Sequence, residues 1–264
     1  MRVCGEFGPG RLAEPQVVFE KIMAMLAGPA ARPLAGRRAI VTAGPTAEPI
    51  DPVRVITNRS SGKQGFAIAA ALAELGAEVT LVAGPVFQPT PAGVTRVDVE
   101  TARQMLAACE AALPADIAVC VAAVSDWRPR DAAAAKIKKT GDAPPGIDLV
   151  ENPDILATLS KSPSRPRLVI GFAAETHEVE AYAQGKLAKK GCDWIVANDV
   201  SPATGVMGGD RNTVHVLTRA DADVAIDSVS VDSVSVDSWP VMTKDEVATA
   251  LVAKIAATTG YPPV

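Results

Sequence analysis

Apolar and polar positions in this chain alternate between two rhythms. Short continuous apolar runs occupy 39–43, 78–83, 117–124, 167–172 and 193–197. Runs of that length, bounded by turn residues, predict strands buried on both faces. Between them, at 63–75, 101–113, 152–159 and 176–190, apolar residues recur every three or four positions and predict helices. Gly76 suits a helix stop before the second strand. This order predicts an α/β fold, a Rossmann-like, doubly wound, mostly parallel sheet. The rhythm then changes. Segments 213–217 and 224–235 read as exposed strands, a C-terminal antiparallel extension, and 244–257 as a closing amphipathic helix. Within the extension, 227–238 reads DSVSVDSVSVDS, either an extended hairpin or a low-complexity surface insertion.

The first 35 residues follow neither rhythm. Gly5, Gly8, Pro9, Gly10 and Pro15 make a loop-rich start, 17–26 is apolar-periodic, and 28–33 reads as a linker. The expected organisation is therefore a tail at 1–35 and a main domain at 36–264. Of the 264 residues 48% are hydrophobic and only 4% aromatic, so the core must be built from Ala, Val, Leu and Ile. A formal net charge of −4 gives no support to nucleic-acid binding. The longest apolar run, 117–124, is too short to span a bilayer, and the first residues carry no signal-peptide core. Cys4, Cys109, Cys120 and Cys192 lie far apart with no CxxC pair. That argues against a zinc site or disulfide framework and fits a reducing cytoplasm.

In a doubly wound sheet, ligands sit beyond the C-terminal strand ends. The polar segments 44–62, 125–140 and 198–212 fall there. The first begins Gly44-Pro45-Thr46 and ends Asn58-Arg59-Ser60-Ser61-Gly62-Lys63, directly before a helix. Its spacing is not GxGxxG, and Gln64 after Lys63 rules out a Walker A loop. What remains is a set of small and hydroxyl residues at a helix start, able to cradle a phosphate. Ordinary turn chemistry with an N-cap is the alternative. Asp126 directly follows the third apolar run, placed to accept from a base amino group or a ribose hydroxyl, or to cap a turn. Residues 128–146 hold five Lys/Arg, three Pro and two Gly, the composition of a mobile basic loop able to close on a polyphosphate, or of a solvated one. Phe172 ends a strand and can stack on a base. Lys186 and Lys190 share a helix face, toward phosphates or simply as helix C-terminal cations. Asn198 and Asp199 either orient a ligand or metal, or start a turn. There is no Ser-His-Asp signature, and His177 and His215 read as structural or surface residues. A dinucleotide oxidoreductase would need GxGxxG and an acidic end to the second strand, which instead ends Val82-Ala83-Gly84-Pro85.

In order, VTAGPT, DPVRVITNRSSGKQG, LVAGPV, AAVSDW, KIKK, NPDIL, GFAAET and ANDV form a series that closely resembles phosphopantothenate–cysteine ligase. That enzyme is the C-terminal half of the bacterial bifunctional phosphopantothenoylcysteine decarboxylase/synthetase of coenzyme A synthesis. The resemblance covers roughly 36–258. It implies a two-step reaction with 4′-phosphopantothenate, L-cysteine and CTP as substrates, Mg2+ as a companion ion and a homodimer as the assembly. The carboxylate attacks the α-phosphate of CTP to give an acyl-cytidylate and pyrophosphate, and the cysteine amine then displaces CMP. By the same resemblance Asn58, Lys136 and Arg54 are catalytic, and Asp126, Lys136, Pro153, Asp154, Ile155, Leu156, Phe172, Lys186 and Lys190 bind nucleotide. Gly44, Pro45, Thr46, Ser60, Ser61, Gly62, Ala122 and Ala123 are the expected phosphate and substrate contacts, with no metal ligand identified. The start, CGEFGPGRLAEP, resembles the flap that closes the decarboxylase half, with Cys4 at the proton donor's place. No FMN-binding body lies ahead of it in this chain, so FMN and decarboxylation are expected only where such a half is fused upstream.

Overall fold

The structure is a computed structural model and describes residues 32–138, 146–201, 209–219 and 234–258. A compact unit runs Pro33–Val264. Its elements in chain order begin β1 (Arg38–Ala43), β2 (Ala47–Pro49), β3 (Val55–Thr57), α1 (Lys63–Glu74), β4 (Glu78–Ala83), β5 (Val94–Asp98), α2 (Ala102–Ala111) and β6 (Ile117–Cys120). They continue with β7 (Trp127–Pro129), β8 (Leu149–Glu151), α3 (Ile155–Lys161), β9 (Leu168–Glu175), α4 (Val179–Lys190) and β10 (Trp194–Asp199). The last are β11 (Arg211–Asn212), β12 (Val214–Arg219), β13 (Val234–Ser238), β14 (Met242–Thr243) and α5 (Lys244–Thr258).

The main sheet has the order β13-β12-β10-β9-β6-β1-β4-β5. The pairings from β5 through to β10 are parallel, and β12 and β13 add on antiparallel. The chain steps outward from β1 to β4 and β5, returns to β6 on the other side of β1, and steps outward again to β9 and β10. The order reverses between β1 and β6, so the loops leaving their C-terminal ends part and open a crevice.

Alternation along each strand feeds two cores. Val41, Leu81 and Val119 point to one face and pack with Phe66, Ile68 and Leu72 of α1 and Val247, Leu251 and Ile255 of α5. Ile40, Val82 and Ala118 point to the other and meet Met105 of α2, Leu159 of α3 and Leu187 of α4. Both faces are covered, which is why the strands read as continuous apolar runs.

Sequence and structure differ in four places. The third apolar run does not stay in the sheet to 124. Regular pairing ends at Cys120: the N–H of Val121 is shared between the Thr42 carbonyl and hydroxyl, both at 3.2 Å, and that of Ala122 turns to the same hydroxyl at 3.2 Å. β5 is an edge strand with only partly buried residues, so it has no apolar run to betray it. The segment read as one loop at 44–62 contains the hairpin β2–β3, and the basic segment 128–146 starts within β7, paired with β8. Helices α3 and α4 begin about three residues later than periodicity predicts, α3 because Asp154 caps it by accepting from Ala157 N at 3.0 Å. Residues 1–31, 139–145 and 224–233, hence Cys4, Lys139 and most of the DSVSV repeat, lie outside the described residues; its end, Val234–Ser238, is the edge strand β13.

One close approach fixes the geometry at the crevice. A Cβ on Gly65 would lie 2.6 Å from Ala43 Cβ and 3.2 Å from Thr42 O, so only glycine lets the first turn of α1 touch the end of β1. Gly185 in the middle of α4 has nothing within 4 Å of such a Cβ. Gly65→Ala is therefore expected to destabilise by about 1–3 kcal/mol through overpacking. Gly185→Ala should stabilise by about 0.5–1 kcal/mol through helix propensity. Chemical denaturation of the two variants measures both signs, and equal effects would contradict the packing argument.

Candidate nucleotide-binding cleft

Two side chains tie together the loops that leave the sheet at its reversal point. Beyond β1, Thr46 is fully buried, and its hydroxyl accepts from Ser125 N at 2.9 Å. Its carbonyl accepts from the Thr57 hydroxyl at 2.7 Å, and its own N–H reaches Ala123 O at 3.3 Å. Asn58 crosses the same gap, donating from Nδ2 to Val124 O at 3.0 Å and Ala123 O at 3.4 Å. Asn152 braces the far side by donating to Ser125 O at 2.9 Å, while its N–H bonds Asp126 O at 2.8 Å.

Between these loops lies a cleft of about 570 Å³. Its walls include Gly44, Asn58, Ser60, Ser61, Gly62, Ala122, Ala123, Asp126, Phe172 and Lys186. Sequence reasoning had marked all ten, from segments spread over more than half of the chain. The α1 end of the cleft is open for hydrogen bonding. Gly62 takes a left-handed conformation (φ 74°) as N-cap and no side chain caps the helix, so the turn-plus-cap alternative does not describe this loop. Ser60 Oγ accepts from Gly62 N at 3.3 Å, one residue before the helix. The first-turn N–H groups of α1 thus present partial positive charge to the cleft.

The cleft is positive although the chain is negative. Among the described residues Arg59, Lys63, Lys186 and Lys244 line it against one carboxylate, Asp126. Lys63 is ion-paired with Asp210 at 2.5 Å, and Lys186 with Glu175 at 2.6 Å. The Lys63 contact holds the Asp210 carboxyl below its ordinary range. Burial first, and Lys63 second, push the Lys244 ammonium below the usual lysine range, with Asp210 partly opposing. An entering anion would relieve that crowding.

Other sequence-marked residues stand elsewhere. Pro45 bridges to Ala123 behind the wall, and Thr46 is structural. Asp154 caps α3 and is ion-paired with Lys190, Ile155 is core, and Leu156 packs against Gly171. None of these, nor Pro153, lines the cleft. Arg54 lies on the β2–β3 hairpin and Lys136 is exposed on the following loop, both beyond its walls. Asn198 does line it and is buried, donating to Asn212 Oδ1 at 3.2 Å, whereas Asp199 accepts from Ser201 N at 2.7 Å in a local turn. Sequence reasoning missed Arg59, Lys63, Asn212 and Lys244 as wall residues. For Lys244 a signal existed: Thr243 and Glu246 have capping-box spacing, and each takes the other's N–H, at 2.7 and 3.1 Å. That places Lys244 at a helix start.

None of the three described thiols is set up as a nucleophile. Desolvation pushes the thiols of Cys109 and Cys192 up to about 12, and that of Cys120 also well above its usual value. His177 is held between Thr176 Oγ1 at 3.0 Å and the Tyr182 hydroxyl at 3.3 Å, and His215 between Ser238 Oγ at 2.8 Å and Glu180 at 3.4 Å. What the cleft offers among the described residues is cations and free helix N–H groups rather than a thiolate.

A family profile described as DNA/pantothenate metabolism flavoprotein C-terminal domain matches residues 34–259. The coenzyme A biosynthesis bifunctional protein CoaBC of Vibrio cholerae is 48% identical over 204 residues, 76% of this chain and 50% of that protein. The Bacillus subtilis protein of the same name is 37% identical over 256 residues, 96% of this chain and 59% of its own length. The chain thus spans between half and three-fifths of these relatives. A crystal structure of the C-terminal domain of CoaBC superposes with a TM-score of 0.67 at 39% identity, covering 86% of this chain and 97% of that one. No described helix is long and apolar enough to cross a membrane.

The buried thiols give a signed pH prediction. Unfolded thiols ionise near 9 and the folded ones near 12, so the unfolded state loses its protons first. The cysteine contribution to stability is expected to be complete below pH 9 and to fall as pH rises from about 9 toward 12. Denaturation midpoints of wild type and a Cys109→Ala/Cys192→Ala variant measure it, the variant showing the shallower decline.

Proposed function

The chain belongs to the DNA/pantothenate metabolism flavoprotein C-terminal domain family, and from that premise we propose that it joins 4′-phosphopantothenate to L-cysteine with CTP as the activating nucleotide. The observation that carries the reading is the cationic cleft at the sheet reversal, with an uncapped helix start at one end and Phe172 in its wall. That is a site for a triphosphate and a flat base. In the proposed reaction the substrate carboxylate attacks the α-phosphorus of CTP, forming the acyl-cytidylate as pyrophosphate leaves. The cysteine amine then attacks the acyl carbon, the bond to the cytidylate oxygen breaks, and CMP leaves. A free carboxylate is a poor acyl donor, and the cytidylate makes its oxygen a good leaving group.

Roles follow from position. Phe172 stacks on the base, and Asp126 accepts from its amino group or from a ribose hydroxyl. The helix start and Ser60, Ser61 and Gly62 hold phosphate oxygens. Lys63, Lys186 and Lys244 offset the charge that builds on them. Asn58, fixed across the gap by its Nδ2 bonds, handles the acyl group during turnover. Lys136, exposed on its loop, helps the first step. No cluster of three metal-ligating side chains exists among the described residues. A Mg2+ would arrive on the nucleotide phosphates, and Asp126 is the described wall carboxylate that would help hold it. FMN chemistry is assigned to none of these residues.

A homodimer fits the surface around the two hairpins. Val53, Val55, Trp127, Ile147 and Leu149 all lie on or beside β2–β3 and β7–β8, and Trp127 is 55% exposed. Apolar side chains gathered this way mark a surface that a second copy covers. Trp127→Asp should shift sedimentation from dimer to monomer; an unchanged dimer would place the contact elsewhere.

The decisive assay measures pyrophosphate release with CTP, ATP, GTP or UTP in the presence of phosphopantothenate and cysteine. CTP should support the fastest release. Lys136→Gln should slow that release steeply without altering the unfolding temperature. Asn58→Asp should still release pyrophosphate but form the cysteine adduct slowly. Release that is equally slow with every nucleotide would overturn the reading, and an unaffected Lys136→Gln would remove that residue from the first step.

A further inference from the structure

Arg54 and Lys136 stand outside the cleft, and one carboxylate joins them. The Asp51 side chain is fully buried. Its Oδ1 accepts from Val53 N and Arg54 N, both at 2.9 Å, which forms the turn between β2 and β3. Its Oδ2 accepts from Arg54 Nε at 3.0 Å, from Arg54 Nη2, and from Ile137 N at 3.1 Å, across 86 residues of sequence. Arg54 Nη2 closes the ring by donating to Ile137 O at 2.9 Å. A second tie lies four residues earlier, where Ala133 N donates to Ile50 O at 2.9 Å. Lys136 sits between the two ties and is itself exposed.

We propose that Asp51 is a positioning residue: by holding the Arg54 guanidinium and the Ile137 N–H on one oxygen, it fixes where the loop carrying Lys136 stands relative to the cleft. The inference rests on the ligase reading. An ionised carboxylate is required because it only accepts, and Oδ2 faces three N–H donors. The Arg54 guanidinium, with help from the backbone N–H groups, keeps the carboxyl far below the usual carboxylate range, against the effect of burial. The clamp is therefore charged at any neutral pH. An Asn here keeps one accepting oxygen for the Val53–Arg54 turn and turns an amide against Arg54 and Ile137. Asp51→Asn is thus a lesion in the tie to the loop rather than in the hairpin.

The test has two arms. In the first, hydrogen exchange is followed at the Ile137 and Ala133 amides of wild type and Asp51→Asn. Faster exchange at both, beyond any change at the amides of the main sheet, is expected; unchanged exchange at Ile137 overturns the clamp. In the second, CTP-dependent pyrophosphate release is compared for Asp51→Asn, Lys136→Gln and the double variant. Asp51→Asn alone should lose about ten- to a hundredfold, the scale of a displaced catalytic group. In the Lys136→Gln background it should cost nothing further. Losses that multiply in the double variant overturn the role through Lys136. Should Asp51→Asn not fold, Arg54→Lys takes its place in both arms, since it keeps the charge but loses the fork. A wild-type chain that releases no pyrophosphate with any nucleotide would defeat the ligase reading, while the exchange arm would still decide the clamp.

Discussion

The backbone groups of two loops must be satisfied where they leave the sheet side by side, and everything at the site follows from how that is done. Where regular pairing of β1 with β6 ends, some backbone bonds carry on, Val121 N–H to Thr42 O, Ala123 N–H to Gly44 O and Thr46 N–H to Ala123 O, while other N–H groups have no backbone acceptor. Burying them unpaired would cost more than a typical net hydrogen bond returns. The Thr42 and Thr46 hydroxyls supply acceptors to Ala122 and Ser125, and a second one to Val121, which also bonds Thr42 O. The loops are thereby locked to each other through side chains, at a set separation. The crevice between them exists as a rigid feature, present before any ligand arrives.

That rigidity makes charge useful. A chain of net charge −4 does not gather polyanions by its overall field. Local placement does the work: lysines from α1, α4 and α5 converge on one cleft with one carboxylate among the described residues of its wall. Asp210 and Glu175 hold two of them as ion pairs, which keeps the cations aimed inward while tempering their mutual repulsion. The arrangement asks nothing of a protein nucleophile. It is suited to bringing two reactants together and stabilising the charge that develops between them.

Much of this was legible in the sequence. Both-face burial writes strands as unbroken apolar runs, so β1, β4, β6, β9 and β10 were readable, and with them the loops at their ends. Ten wall residues followed from that alone together with the motif series. Features set by tertiary pairing were not legible. β5 is half exposed, and three-residue strands such as β2 and β7 are too short to show a period. Lys244 lies in the wall because α5 folds back against α1, a contact no local pattern encodes. The end of β6 is not written locally because the Ala122 N–H turns to a threonine hydroxyl 80 residues away, which also shares the Val121 N–H with the ladder.

The return of α5 to α1 has a meaning for how the molecule is made. Gln64 at the start of α1 donates to Lys244 O at 3.0 Å, and Lys63 is paired with Asp210. Residues from the first quarter of the chain are therefore completed by residues from its last quarter. On the ribosome, the strands of the crevice emerge early, but its cationic wall is unfinished until the final helix has left the exit tunnel. A nascent or prematurely terminated chain would hold a half-built cleft. Its cationic wall is thus a late property of synthesis, acquired only when α5 has met α1.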